Sequence, residues 1–201
     1  LLDLYIGIYK LYQKRWLKMF DIFNSYLDKQ LFSLDTKKIK NKILNLKSKD
    51  KGRIVSNYGG WQSKSVEKID KNFESLFNKI SLSVKEIEKH LDLEKKLFFK
   101  SCWCNINNFG SFNRPHQHGN SVISGVYYVS IPKNSGNIVF MNQGLDIFYQ
   151  QIKQYNKYNS TIWSVKPENN LCLLFPSYLM HYVEPNLNKE ERISISFNYG
   201  F

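Results

Sequence analysis

Arg192-Ile193-Ser194-Ile195-Ser196-Phe197-Asn198 alternates polar and apolar side chains without a break. A period of two is the spacing of an extended strand with one face in a core, and here every even position is polar, so the other face looks into something wet. On that wet face Arg192 offers a planar, permanently charged fork, and the hydroxyl of Ser194 follows two residues on as a same-face neighbour. Together they make a clamp for a carboxylate. Working outward, the same short β-type runs recur from about residue 97, near 97–107, 122–131, 137–141, 161–166, 171–176 and 180–184, separated by turn sequences such as Pro132-Lys133-Asn134-Ser135-Gly136. Short strands with such turns predict an antiparallel sandwich or barrel of the jelly-roll type.

Upstream the period changes. Val66, Ile69, Phe73, Leu76, Phe77, Ile80, Val84, Ile87 and Leu91 fall at steps of mainly three and four, which predicts a long amphipathic helix over 65–91 lying on a sheet. Residues 1–30 also read as helical, and 31–51 as a lysine-rich helix or connector. The expected organisation is mainly β with bracing α-helices: residues 1–96 a helical N-terminal support region, and 97–201 a double-stranded β-helix (jelly-roll/cupin-like) core of the same domain.

Composition narrows the classes. With 201 residues, 42% hydrophobic and 15% aromatic, the chain can bury a core, which excludes a disordered protein, and 10 Gly and 5 Pro exclude a collagen-like one. No uncharged apolar run reaches the roughly 18 residues of a membrane span, since Lys10, Lys14 and Arg15 interrupt the apolar N-terminus, so a soluble protein is expected. Cys102, Cys104 and Cys172 are odd in number and read as core residues of a protein in a reducing, cytoplasmic compartment. The net charge of +12 is concentrated in residues 1–100. Lys68, Lys71, Lys79, Lys85 and Lys89 interleave with Glu67, Asp70, Glu74, Glu86 and Glu88, the pattern of a solvated face rather than of a specific nucleic-acid groove.

The chemistry is expected in the β half. In Arg114-Pro115-His116-Gln117-His118 the two histidines stand at i and i+2, so an extended backbone turns both imidazoles to one side, about 7 Å apart at their roots. His181 would bring a third from a separate strand lying opposite. Three facial ligands leave positions free for substrate and oxygen, as non-haem Fe(II) chemistry needs.

Trp103 with Asn105, His116-Gln117-His118, Ser124-Gly125-Val126-Tyr127-Tyr128-Val129, Ser135-Gly136, Leu174-Phe175-Pro176-Ser177, His181 and residues 192–198 occur in this order. The set resembles the 2-oxoglutarate/Fe(II)-dependent oxygenases related to prolyl hydroxylases, and Ser56-Asn57-Tyr58-Gly59-Gly60-Trp61-Gln62-Ser63 is similar to a further segment of that family. The resemblance spans about residues 56–200. It implies an Fe(II) site, 2-oxoglutarate as cosubstrate and O2, with succinate and CO2 released as an unidentified substrate, peptidyl proline or another residue, is hydroxylated. By position His116 and His181 match metal ligands, Arg192 matches the residue pairing with the C5 carboxylate, and Ser194 or Tyr127 supplies a hydroxyl. The family's usual third ligand is Asp or Glu; here His118 stands at that place, and three-histidine coordination is expected. Tyr127, Tyr128, Trp103, Phe140 and Trp163 are candidates for pocket or core, and Trp61 and Gln62 for a cover over the metal. A cupin-type metal or ligand-binding protein shares part of the pattern, but Val122 and Ile123 stand where its glutamate is expected. The third class is a non-catalytic β-domain using the basic half.

Overall fold

The computed structural model describes residues 25–66, 70–143 and 152–201. Eleven strands form two antiparallel sheets: β1 (Asp28–Leu31), β2 (Asn57–Tyr58), β3 (Trp61–Gln62), β4 (Phe98–Asn107), β5 (Phe112–His116), β6 (Ile123–Ser130), β7 (Ile138–Met141), β8 (Ile162–Val165), β9 (Leu171–Pro176), β10 (His181–Val183) and β11 (Arg192–Gly200). The six-stranded sheet runs β1-β9-β6-β11-β4-β3 and the five-stranded sheet β2-β5-β10-β7-β8, a jelly-roll arrangement. Among the described residues two helices, α1 (Thr36–Lys49) and α2 (Glu74–His90), brace the larger sheet from outside.

Strand parity sorts the layers. On β11 the odd residues Ile193, Ile195, Phe197 and Tyr199 join Cys102, Cys104 and Ile106 of β4 and Ile123, Tyr127 and Val129 of β6 in a core closed by Ile39 and Ile43 of α1 and Leu76, Phe77, Ile80, Val84 and Ile87 of α2. The three cysteines are buried and unpaired. The even side holds a second core between the sheets, from Val126, Tyr128, Leu171, Leu173 and Phe175 on one and Ile138, Phe140, Val165 and Val183 on the other. In register, Arg192, Ser194 and Ser196 face Asn107, Asn105 and Trp103 of β4, while Ser194 and Ser196 face Tyr128 and Val126 of β6.

The structure departs from the expected elements at three places. The predicted helix over 65–91 begins only at Glu74, after a 3-10 turn at Lys71–Phe73. Val66 instead exchanges two backbone hydrogen bonds of 2.9 Å with Cys102, because the upper edge of β4 has donors and acceptors to satisfy. Of the helix expected over 1–30, residues 1–24 lie outside the described residues and Asp28–Leu31 is strand β1, paired with β9 from Asp28↔Leu174 to Leu31↔Leu171. The stretch 31–51 does hold a helix, entered through Asp35, whose carboxylate accepts from Lys37 N at 3.0 Å. Three of its six lysines are engaged: Lys42 with Asp70 at 3.4 Å, Lys47 with Glu191 at 2.7 Å, and Lys40 with Ser130 Oγ at 3.2 Å. No helix among the described residues is long and apolar enough to cross a membrane.

Gly136, in the turn before β7, is required by both conformation and space. Its φ is +81°, and a Cβ there would collide with Glu184 O and approach Pro185 O to 2.8 Å. Gly136→Ala therefore combines left-handed strain with a backbone clash, and is expected to destabilise by about 1–3 kcal/mol, read as a lowered urea midpoint at unchanged slope. An unchanged midpoint would show that the turn can relax.

Candidate active site

His116 closes β5 and His181 opens β10, and the two are Cα partners across that antiparallel pair. The third imidazole thus comes from a neighbouring strand of the same sheet, not from one across the barrel. His118 lies just beyond β5, its position set by a 2.9 Å hydrogen bond from its backbone N to Ser177 O. Ring centroids are 4.4 Å apart for His116 and His181, 5.3 Å for His116 and His118, and 5.2 Å for His118 and His181. One ring nitrogen from each lies within 4.8 Å of the others.

Each ring is oriented through its other nitrogen. Nδ1 of His116 donates to Arg114 O at 2.7 Å, Nδ1 of His181 to Leu179 O at 2.8 Å, and Nδ1 of His118 to Asn198 Oδ1 at 2.8 Å. A carbonyl oxygen can only accept, so Nδ1 carries the proton and Nε2 keeps its lone pair. Burial pushes the imidazoles down, His118 to about 4 and His181 to about 3, and lowers His116 in the same sense. At neutral pH all three are uncharged, the state in which imidazole ligates. Phe175 and Phe140 pack on His181 with ring centroids at 4.9 and 5.9 Å, and Trp103 stands 5.4 Å from His118.

Asn198, which strand alternation places on the wet face, is tied to the histidine cluster. Its Oδ1 accepts from both His118 and Ser124 Oγ, the latter at 2.8 Å, and Ser124 Oγ meets Ser177 Oγ at 2.8 Å. The chain Ser177, Ser124, Asn198, His118 is buried apart from its last ring.

Arg192 is 2% exposed. One of its terminal nitrogens donates to Ser135 O at 3.3 Å, its guanidinium carbon stands 5.7 Å from the centre of the Tyr128 ring, and its Nε has no partner. It makes no ion pair with a carboxylate among the described residues, and burial lowers its pKa; a guanidinium keeps its proton in proteins. The Tyr128 hydroxyl and Asn105 Oδ1 are likewise buried and unpartnered. All three residues line one pocket with Ser194, Ser196, the three histidines, Ser56 and Asn113. The free Nε of the buried guanidinium and the unpartnered Tyr128 hydroxyl are hydrogen-bond donors suited to a carboxylate, and the three neutral imidazoles in the same pocket are ligands suited to a divalent metal.

Ser194 and Arg192 therefore fall where the sequence put them, and Tyr127 does not. Tyr127 sits on the helix face of β6, its hydroxyl donating to Asn170 Oδ1, and Tyr128 faces the pocket. The register Ser194↔Tyr128 decides the parity, and only strand pairing reveals it. Of the other aromatic candidates Trp103 lines the pocket, Phe140 is core beside His181, and Trp163 is half exposed on β8. Trp61 does not cover the metal position: its Nε1 donates to Asp50 O at 2.8 Å and its ring packs toward the helices, while Gln62 is buried in the β3 pairing with Asn105.

Comparison with known proteins gives the same picture. The sequence profile described as 2OG-Fe(II) oxygenase matches residues 101–198. The fold is similar to that of a Pseudomonas putida prolyl-4-hydroxylase, at TM-score 0.61 and 15% identity over 88% of this chain and 93% of that one. It is similar also to a Trichoplax adhaerens prolyl hydroxylase in complex with a hypoxia inducible factor peptide fragment, at 0.59 and 14% over 87% and 83%. HygX of Streptomyces hygroscopicus, with nickel, 2-oxoglutarate and hygromycin B bound, superposes at 0.59 and 12% over 88% and 83%. No curated protein matches the chain in sequence. Residues 101–198 thus match the 2OG-Fe(II) oxygenase family in sequence, and the chain shares the fold of the prolyl hydroxylases and of HygX.

Proposed function

We propose that the chain hydroxylates a C–H bond of a peptidyl proline or another amino-acid residue, with His116, His118 and His181 holding Fe(II) and Arg192 anchoring 2-oxoglutarate. The observation that carries this reading is Arg192: a fully buried guanidinium with a free Nε, in the same pocket as three convergent neutral histidines. When bound, the iron and its cosubstrates supply the oxidising chemistry, in which 2-oxoglutarate and O2 become succinate and CO2 as the substrate C–H becomes C–OH.

The chain's own residues bind and orient. The Arg192 guanidinium would take the C5 carboxylate, and the Tyr128 hydroxyl, kept protonated by burial with its pKa raised to about 12, would add a further donor. Ser194 supplies the next donor on the same face. Val126, Ile138, Phe175 and Val183 exclude water, which strengthens each of these bonds. The Nδ1 acceptors fix which nitrogen of each histidine faces the metal, and Asn198 does this for His118. The buried, unpaired thiols support a reducing, cytoplasmic setting.

Anaerobic addition of Fe(II) and then 2-oxoglutarate to the purified protein is expected to give the visible absorption band of the chelate; its absence would remove the proposal. His181→Ala is expected to abolish stoichiometric iron in metal analysis, and full occupancy would show the ligands to be elsewhere. Arg192→Lys keeps the charge but loses the fork, and should weaken 2-oxoglutarate by about 1.5–3 kcal/mol in a titration followed by that band. Asn198→Ala leaves Nδ1 of His118 without its acceptor. Metal affinity, measured by Co(II) titration, should fall roughly 10–100-fold with little change in the unfolding midpoint. Unaltered affinity would make Asn198 a packing residue only.

A further inference from the structure

We propose that Asn105 is a substrate-binding residue whose Oδ1 accepts a backbone N–H of the polypeptide beside the residue to be oxidised, an inference that rests on the hydroxylase reading above. Asn105 lines the pocket and is 7% exposed. Its Nδ2 donates to Ser196 Oγ at 3.0 Å, which leaves Oδ1 buried without a partner. Among the buried, unpartnered side-chain atoms of the described residues it is the only one that can accept but not donate. The others are hydroxyls and the Nε of Arg192.

The cosubstrate cannot meet that need. At neutral pH 2-oxoglutarate is a dianion whose carboxylates and keto oxygen carry no hydrogen to donate. Its anchor also leans the other way: the Arg192 guanidinium lies over the ring of Tyr128 on β6 and donates to Ser135 O in the turn before β7. Asn105 is on the opposite flank of β11. Ser194 pairs with Asn105 of β4 on one side and with Tyr128 of β6 on the other, which sets those two residues about 10 Å apart at their Cα atoms. The pocket is thereby divided across β11, with the carboxylate donors on the β6 side and a lone acceptor on the β4 side.

The β4 side also reaches the histidines. Trp103, two residues before Asn105 and therefore on the same strand face, lines the pocket with its ring 5.4 Å from that of His118. Asn113 of β5 completes this half and has both amide atoms engaged, Nδ2 donating to Ser56 Oγ at 3.1 Å and Oδ1 accepting from Asn107 Nδ2 at 3.4 Å. A ligand here meets one free acceptor and one aromatic face beside the metal position. A polypeptide matches both, since the side chain to be oxidised packs on the indole while a backbone N–H meets Oδ1. Proline has no N–H of its own, so with a prolyl substrate the donor comes from a flanking residue.

The test is a backbone-ester scan. Fluorescein-labelled twelve-residue peptides with a central proline, each with one flanking amide N–H replaced by an ester oxygen, are bound anaerobically to the full chain with Fe(II) and 2-oxoglutarate and followed by anisotropy. One ester position should weaken binding about tenfold, because it leaves a buried acceptor unpaired. In Asn105→Ala that ester and its parent peptide should bind alike, whereas Asn105→Asp keeps an acceptor oxygen and should retain the difference. The chelate band should titrate in Asn105→Ala with the 2-oxoglutarate affinity of the unaltered protein; a weakened affinity at an unchanged unfolding midpoint assigns Asn105 to the cosubstrate and overturns the inference. An unaltered protein with no sensitive ester position, or an Asn105→Ala variant with the same sensitivity, also overturns it. A missing chelate band in the unaltered protein, or a normal band with no peptide bound, defeats the peptidyl hydroxylase reading instead.

Discussion

A positive charge without an ion pair sits inside this fold, and the neighbouring structure is arranged to tolerate it. Taking a guanidinium out of water costs several kcal/mol even after relaxation, and Arg192 cannot escape by losing its proton. What the protein offers in return is partial: the face of Tyr128, one carbonyl at Ser135, and a strand held on both sides by β4 and β6. The Ser135 carbonyl is in reach because Gly136 lets its turn press against Glu184 and Pro185. The remaining deficit is a site, since a ligand carboxylate offsets in the bound state what the apo fold leaves unpaired.

The same strand explains the helices. If the even side of β11 faces a wet pocket, its odd side must be dry, and Ile195, Phe197 and Tyr199 with Cys102 and Cys104 present an apolar sheet face that water would otherwise cover. α2 supplies the matching stripe and α1 extends it. The basic exterior of these helices follows from their position: one face is committed to the sheet, and the other carries lysines that meet Glu191, Asp70 and solvent.

How much of this was legible in the sequence depends on the range of the interaction involved. β9 was read at its observed bounds and β11 to within a residue, because alternation or a dense apolar run is a property of consecutive residues. β5 was not assigned as a strand of its own, since Asn113, Arg114 and Pro115 have poor strand propensity and the pairing with β10 decides. β1, β2 and β3 are two to four residues long and exist only through their partners β9, β5 and β4. The exchange of Tyr127 for Tyr128 has the same origin: two adjacent tyrosines in a run buried on both faces give no parity signal until the register with Ser194 is known. The histidines were legible because chemistry, not packing, sets their spacing. Asn198 was legible only as polar, because its two partners come from residues 74 and 80 positions away.

That relay also bears on why an imidazole stands at residue 118. Asn198 Oδ1 already receives Ser124 Oγ and is placed to receive an N–H from residue 118. A carboxylate at that place would meet an oxygen instead of a donor unless the amide turned over, which would break the link to Ser124. The surroundings of residue 118 are therefore built for a donor, and the neutral imidazole is part of a connected design. Its electrostatic consequence runs outward. If the three uncharged histidines hold a divalent metal, its full charge would add to that of Arg192, so a dianionic cosubstrate would neutralise only part of the positive charge, and no acid of β4 to β7 would absorb the rest. Such a surplus would favour ligands that bring negative charge with them along the path from solvent to the site.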